Sequence, residues 1–122
     1  MLANQMAAMV LDTDARMRVV ARARRLIRRG FDTLSESLTS RPDIYSVVPP
    51  QASAMSFVRY NLPIDSAAFC ARLLNEQQML VIPGSCFGLE HHFRFSSALP
   101  DNYLREGLRR LHLVGDAIAN DC

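Results

Sequence analysis

Two groups of side chains in this 122-residue sequence are of the kinds that bind or react. The first follows a short apolar run, Val81-Ile82, that breaks at Pro83-Gly84 and continues through Ser85, Cys86 and Phe87 to Gly88. After it comes His91-His92-Phe93-Arg94-Phe95-Ser96-Ser97, aromatic and polar residues in alternation with one arginine at the centre. Pro-Gly and a second glycine mark a turn between two strands. On the second strand Phe93 and Phe95 face one side, and His92, Arg94 and Ser96 the other. A guanidinium held on a strand beside such a loop presents a planar fork of donors suited to a carboxylate or a phosphate. The second group is a file of arginines, Arg18, Arg22, Arg25 and Arg29, with Arg16, Arg24 and Arg28 beside it. It reads as a solvated helix face, or as a surface for nucleic acid or an acidic protein. The absence of interleaved aromatic residues favours the solvated face.

Other reactive types are weaker signals. Cys86 with His91 or His92 lacks a third group to orient a cysteine–histidine pair. His91 and His92 are adjacent on a strand and point apart, so they do not form a metal site together. Arg59 lies mid-strand, and either an ion pair with Asp43 or a reach toward the substrate region is open to it. His112 falls beside the apolar stripe of the last helix. No catalytic, cofactor-binding or metal-ligating residue is assigned.

The elements that position these groups follow from periodicity. Met1 to Leu11 reads as a helix, and Asp12-Thr13-Asp14 offers side-chain oxygens to cap a second one. That helix runs to Leu38 on a stripe of Val19, Ala23, Leu26, Gly30, Leu34 and Leu38, broadened by Val20, Ile27 and Phe31. It would be about 37 Å long, and Gly30 weakens it enough to allow a slight bend. Thr39 to Asp43 is a linker. Ile44 to Val48 is a short strand, broken by Pro49-Pro50-Gln51-Ala52. Ala54 to Leu62 is a strand with Met55, Phe57 and Arg59 on one side and Ser56, Val58 and Tyr60 on the other. Asp65 caps a helix over Ser66 to Gln77, with Ala68, Phe69, Leu73 and Leu74 inward. Met79 to Ile82 is the strand entering the loop. Pro100-Asp101 opens the last helix, with Leu104, Leu108, Leu111, Gly115 and Ile118 on one face and a Glu106–Arg110 pair outside. The fold class is α+β: a small, mostly antiparallel sheet covered on one face by helices, preceded by a long N-terminal helix. The expected organisation is a single domain over 1–122, with 1–38 a helical segment and 44–122 the sheet and helices.

Composition sets limits. The net charge of +2 is too small to indicate a nucleic-acid binder. No apolar run nears the ~20 residues that span a bilayer. Asp12 and Asp14 follow the mild apolar N-terminal stretch without a charged lead-in, which argues against a signal peptide. Cys70, Cys86 and Cys122 are odd in number and lack a C-x-x-C spacing, as expected of free thiols in a cytoplasmic protein.

The loop and its arginine resemble the small domain of the fold-type-I pyridoxal-phosphate aminotransferases, in which a strand leads into Pro-Gly-x-x-Phe-Gly and the next strand carries an arginine. Pro83, Gly84, Phe87, Gly88 and Arg94 match that motif position by position, and the likeness extends from about Ala7 to Ala119. The resemblance implies that Arg94 grips the α-carboxylate of an amino acid or 2-oxo acid, and that Pro83, Gly84, Ser85, Phe87 and Gly88 shape the rim of the substrate pocket. It also implies pyridoxal phosphate as cofactor of the complete enzyme, a large cofactor-binding domain as partner, a homodimer, and the long helix as the link between domains. Carbon–sulfur lyases and cyclopropane-forming synthases share the fold. One departure is Ala52-Ser53 where the family has glycines. Another is graver: all fourteen basic residues are arginine. With no lysine amine to form a Schiff base, the chain is expected to be inactive alone, as a fragment or separately expressed domain. The alternatives are a free-standing α+β binding module using the arginine face, and a paralogue that binds a small carboxylate through Arg94 without chemistry.

Overall fold

The computed structural model describes residues 2–121, so Met1 and Cys122 lie outside the described residues. The order is α1 (Leu2–Leu11), α2 (Thr13–Thr39), β1 (Tyr45–Val47), β2 (Met55–Tyr60), α3 (Ser66–Gln77), β3 (Ile82–Pro83), a 3-10 turn (Gly84–Phe87), β4 (His92–Ser96) and α4 (Asp101–Asn120). The strands form one sheet in the order β1-β2-β4-β3, antiparallel at every pairing. The α+β class expected from the sequence holds.

One face of the sheet is the core. Val58, Tyr60, Phe93 and Phe95 point into it, where they meet Phe69 and Leu73 of α3, Leu34 and Leu38 of α2, and Leu104, Leu108 and Leu111 of α4. Tyr60 stacks on Phe69 with centroids 4.5 Å apart, and Phe69 meets Phe93 at 5.6 Å. Each such ring contributes about 2–3 kcal/mol by leaving water. The β1 residue Tyr45 is buried against α4, where its hydroxyl donates to the Leu111 carbonyl at 3.1 Å. Burial pushes the Tyr45 phenol well above its ordinary pKa. His112 meets Tyr45 edge-on and lies 2.9 Å from the Ser37 hydroxyl. Its partial burial is as expected, and desolvation lowers its pKa. Arg41 forms ion pairs with Asp43 and with Asp116 of α4, so the linker after α2 is fastened to the last helix.

Local chemistry explains the helix ends. The Asp12 side chain accepts from the Ala15 amide, and that of Asp65 from Ala68 at 2.8 Å. The Glu106–Arg110 pair forms at 2.8 Å, with Arg109 added to the same carboxylate.

Several expectations need correction. On α2 only Gly30, Thr33, Leu34 and Leu38 are buried, while Val19, Val20 and Leu26 are exposed, so the packing of α2 into the core is confined to its C-terminal part. Gly30 is a point of close approach: a Cβ there would lie 1.9 Å from the Ser97 carbonyl oxygen. On α3, Leu74 is exposed and Cys70 takes its place inside, since the buried stripe runs Phe69, Cys70, Leu73. The strand expected at Met79 to Ile82 is only Ile82–Pro83. Gln78 takes a left-handed conformation and the Met79 amide bonds back to Leu73, so the chain leaves the helix late. Ser53 also sits at positive φ (80°), the conformation a glycine adopts freely.

Two substitutions should act in opposite directions. Gly30→Ala should destabilise by about 1–3 kcal/mol through forced separation of α2 from the Ser97 backbone. Ser53→Gly should stabilise by about 1 kcal/mol, less the hydrogen bond from the Met55 amide to the Ser53 hydroxyl. Urea unfolding of the two variants beside the parent measures both.

Candidate functional site

The outer face of the sheet is not covered by helices. On it the pairing sets Phe57 opposite Arg94, Arg59 opposite His92 and Met55 opposite Ser96. β3 flanks Arg94 from the other side, with Ile82 as its partner. Arg94 is therefore fixed by strands on both sides, and the alternation inferred for β4 is the one observed: Phe93 and Phe95 buried, Arg94 half-buried on the open face. Its guanidinium carbon lies 5.3 Å from the centroid of the Phe87 ring. Phe87 in turn meets Phe57 edge-to-face at 5.2 Å and 82°. Arg94 makes no ion pair among the described residues.

The turn between β3 and β4 is built for this approach. Gly84 is buried under the returning chain, where a Cβ would lie 2.0 Å from the Leu89 carbonyl oxygen. Leu89 and Gly88 donate backbone N–H groups to Gly84 and Ser85, and Gly88 reverses the chain at φ 71°. The Ser85 amide donates to the hydroxyl of Ser66, the buried first residue of α3, at 3.1 Å. Ser66 is held from the other side as well: its own amide donates to Glu90 at 3.0 Å. That hydrogen bond, followed by the Ser66 side chain, holds the Glu90 carboxyl below the ordinary value of 4.5.

Of the expected site residues, Arg94 and Phe87 come together. Pro83 pairs with Phe93, Ser85 bonds toward α3, and Gly84 and Gly88 serve the backbone. Phe57 belongs to the same cluster; its alternation gave its face but not its register with Arg94. Glu90 and Ser66, 24 positions apart, had no local signal at all. Arg59 is exposed on the same face, and Asp43 is taken by Arg41 instead. Cys86 is an exposed thiol, His91 packs on Tyr60, and His92 donates through Nδ1 to the Glu90 carbonyl at 2.7 Å. Among the described residues no group of three His, Cys, Asp or Glu side chains could hold a metal. The arginines of α2 are exposed, with Arg29 at 3.6 Å from Asp101. No helix of the described residues is long and apolar enough to cross a membrane.

A cleft of about 350 Å³ lies where β4 runs on past β3, between Met79–Val81 and Tyr103 and Arg110 of α4. Arg94 borders it, whereas Phe57 and Phe87 do not. The arrangement as a whole is an open cationic face: an arginine on a strand paired on both sides, its guanidinium over the Phe87 ring, which Phe57 meets in turn.

Comparison with known proteins gives this geometry a family. A family model described as aminotransferase class I and II matches residues 1–111. An aspartate aminotransferase of Streptomyces avermitilis is 30% identical over 92 residues, covering 74% of this chain and 22% of that protein. The solved structure of a Thermus thermophilus aspartate aminotransferase variant superposes with a TM-score of 0.77 at 29% identity, over 86% of this chain and 28% of that one. A PLP-dependent aminotransferase from Streptococcus suis shares the fold at a TM-score of 0.81 and 23% identity, over 86% and 28%. The chain thus spans less than a third of the relatives it matches.

The Glu90–Ser66 contact gives a pH prediction. A carboxyl whose pKa is lowered on folding stabilises above its unfolded value, and that contribution is lost as pH falls through the folded value. The Ser66 amide proton signal should therefore titrate with a midpoint below 4.5, and Glu90→Gln should remove the transition.

Proposed function

Because the chain belongs to the class I and II aminotransferase family, we propose that it forms the small-domain part of an enzyme that moves an amino group between an amino acid and a 2-oxo acid. Arg94 receives the substrate's α-carboxylate. The observation that carries this reading is the state of Arg94: half-buried on the open face, fixed between β2 and β3, and without an ion pair among the described residues. A structural arginine in that setting would have a carboxylate partner. This one keeps its donors for a ligand, and two parallel charge-assisted hydrogen bonds would fix the substrate's orientation before chemistry begins.

Pyridoxal phosphate supplies an electron sink for such chemistry when bound. The residues of this chain do not fit the task of holding it, since none is a lysine and no arginine can form the Schiff base. The anchoring lysine, the phosphate cup and the pyridinium partner belong, in this reading, to a large domain of the complete enzyme. The long α2 would connect the two domains, and the open face of the sheet would close over the substrate. A cytoplasmic homodimer is the expected form. The names of the Streptomyces and Thermus relatives make aspartate and its 2-oxo acid the first pair to assay.

In the complete enzyme, Arg94→Lys should raise KM for amino acids by about 10- to 100-fold, the size of one lost charge-assisted hydrogen bond. Steady-state kinetics of the parent and the variant make the test, and a KM within about twofold of the parent removes the role.

A further inference from the structure

Phe87 is an expensive residue to put where it is. It is 50% exposed and lies outside the buried core. Burial in a core therefore does not account for it. Its ring has two well-defined contacts: the Arg94 guanidinium carbon at 5.3 Å from its centroid, and the edge-to-face meeting with Phe57 at 5.2 Å. The turn that carries it is anchored from the opposite direction, by the Ser66 hydroxyl on the Ser85 amide.

These contacts suit one task. An arginine side chain on an open sheet face has many rotamers, and ordering it on binding costs conformational entropy. A carboxylate partner would order it, but would occupy the N–H groups that a ligand needs. An aromatic face attracts the cation through its quadrupole and uses none of the five donors. The T-shaped contact with Phe57 fixes the ring in turn.

We infer that Phe87 is a positioning residue for Arg94, a platform that holds the guanidinium in its binding orientation with every donor free, and that Phe57 braces the platform. The inference rests on the reading of Arg94 as the carboxylate-binding group, and it adds the reason that the turn before β4 carries an aromatic residue at its last position.

The test uses the 122-residue chain and needs no cofactor. Proton–nitrogen NMR follows the Arg94 Nε–Hε signal while sodium acetate is titrated in as the carboxylate probe. The unliganded parent should show that signal displaced upfield by the Phe87 ring, and acetate should perturb it. Phe87→Leu keeps an apolar side chain and removes the π face. It should abolish the upfield displacement and weaken acetate binding by about 2- to 5-fold, while Phe87→Tyr restores both. Arg94→Gln should abolish the acetate response. Two results overturn the platform alone: an undisplaced Arg94 signal in the unaltered chain, which requires no variant to fold, or acetate affinity that is the same in Phe87→Leu and the parent while Arg94→Gln loses it. Acetate binding that survives Arg94→Gln overturns the carboxylate reading itself and the platform with it.

Discussion

The antiparallel pairing of β2 with β4 sets Val58 opposite Phe93 on one face of the sheet and Phe57 opposite Arg94 on the other. The rest of the structure depends on that register. The first pair belongs to the core that α2, α3 and α4 cover; the second belongs to the face the helices leave open. A slip of one residue would turn Arg94 into the core and Phe93 out of it. A guanidinium there would be an unpaired buried charge, far costlier than the burial lost with the ring. The hydrophobic core therefore does more than stabilise. By fixing which way Phe93 points, it fixes which way Arg94 points.

The same connection runs through the turn. Ser66 begins α3, and it also holds the backbone of the turn that carries Phe87. Glu90, just before β4, closes the first turn of α3 by accepting from Ser66. An anionic side chain at a helix N-terminus meets the positive end of the helix dipole, so the attraction that caps α3 also fastens the segment leading into β4. The open face of the sheet thus rests, through the turn before β4, on a helix at its back.

Most of the helices and the sidedness of the strands were legible in the sequence, because both are periodic. Ser56, Val58 and Tyr60 alternate with Phe57 and Arg59, and α4 repeats Leu104, Leu108 and Leu111 at helical steps; these patterns need no knowledge of the partner element. The Arg94 strand and its loop carried a family motif, and the site grew from there. Contacts between distant positions were not legible. Phe57, Phe87 and Arg94 meet only because two strand registers and a 3-10 turn coincide, and no spacing within one element encodes that. Leu74 and the first part of α2 misled for a related reason: an apolar pattern says that a face can be buried, and only the tertiary arrangement says whether something reaches it. The short β3 is a third case, since backbone hydrogen bonds from Gln78 and Met79 to the end of α3 delay the strand by three residues.

The unequal burial of α2 has a mechanical side. From Thr13 to Arg29 the helix has no buried residue, and its burial starts at Gly30 against Ser97. Those 17 residues make a rigid rod about 25 Å long. A lever of that length turns each degree of tilt at its pivot into about half an ångström at the far end. Gly30, where no side chain separates helix from backbone, stands at the inner end of that length, so a single methyl group added there would have to push α2 and the Ser97 backbone apart.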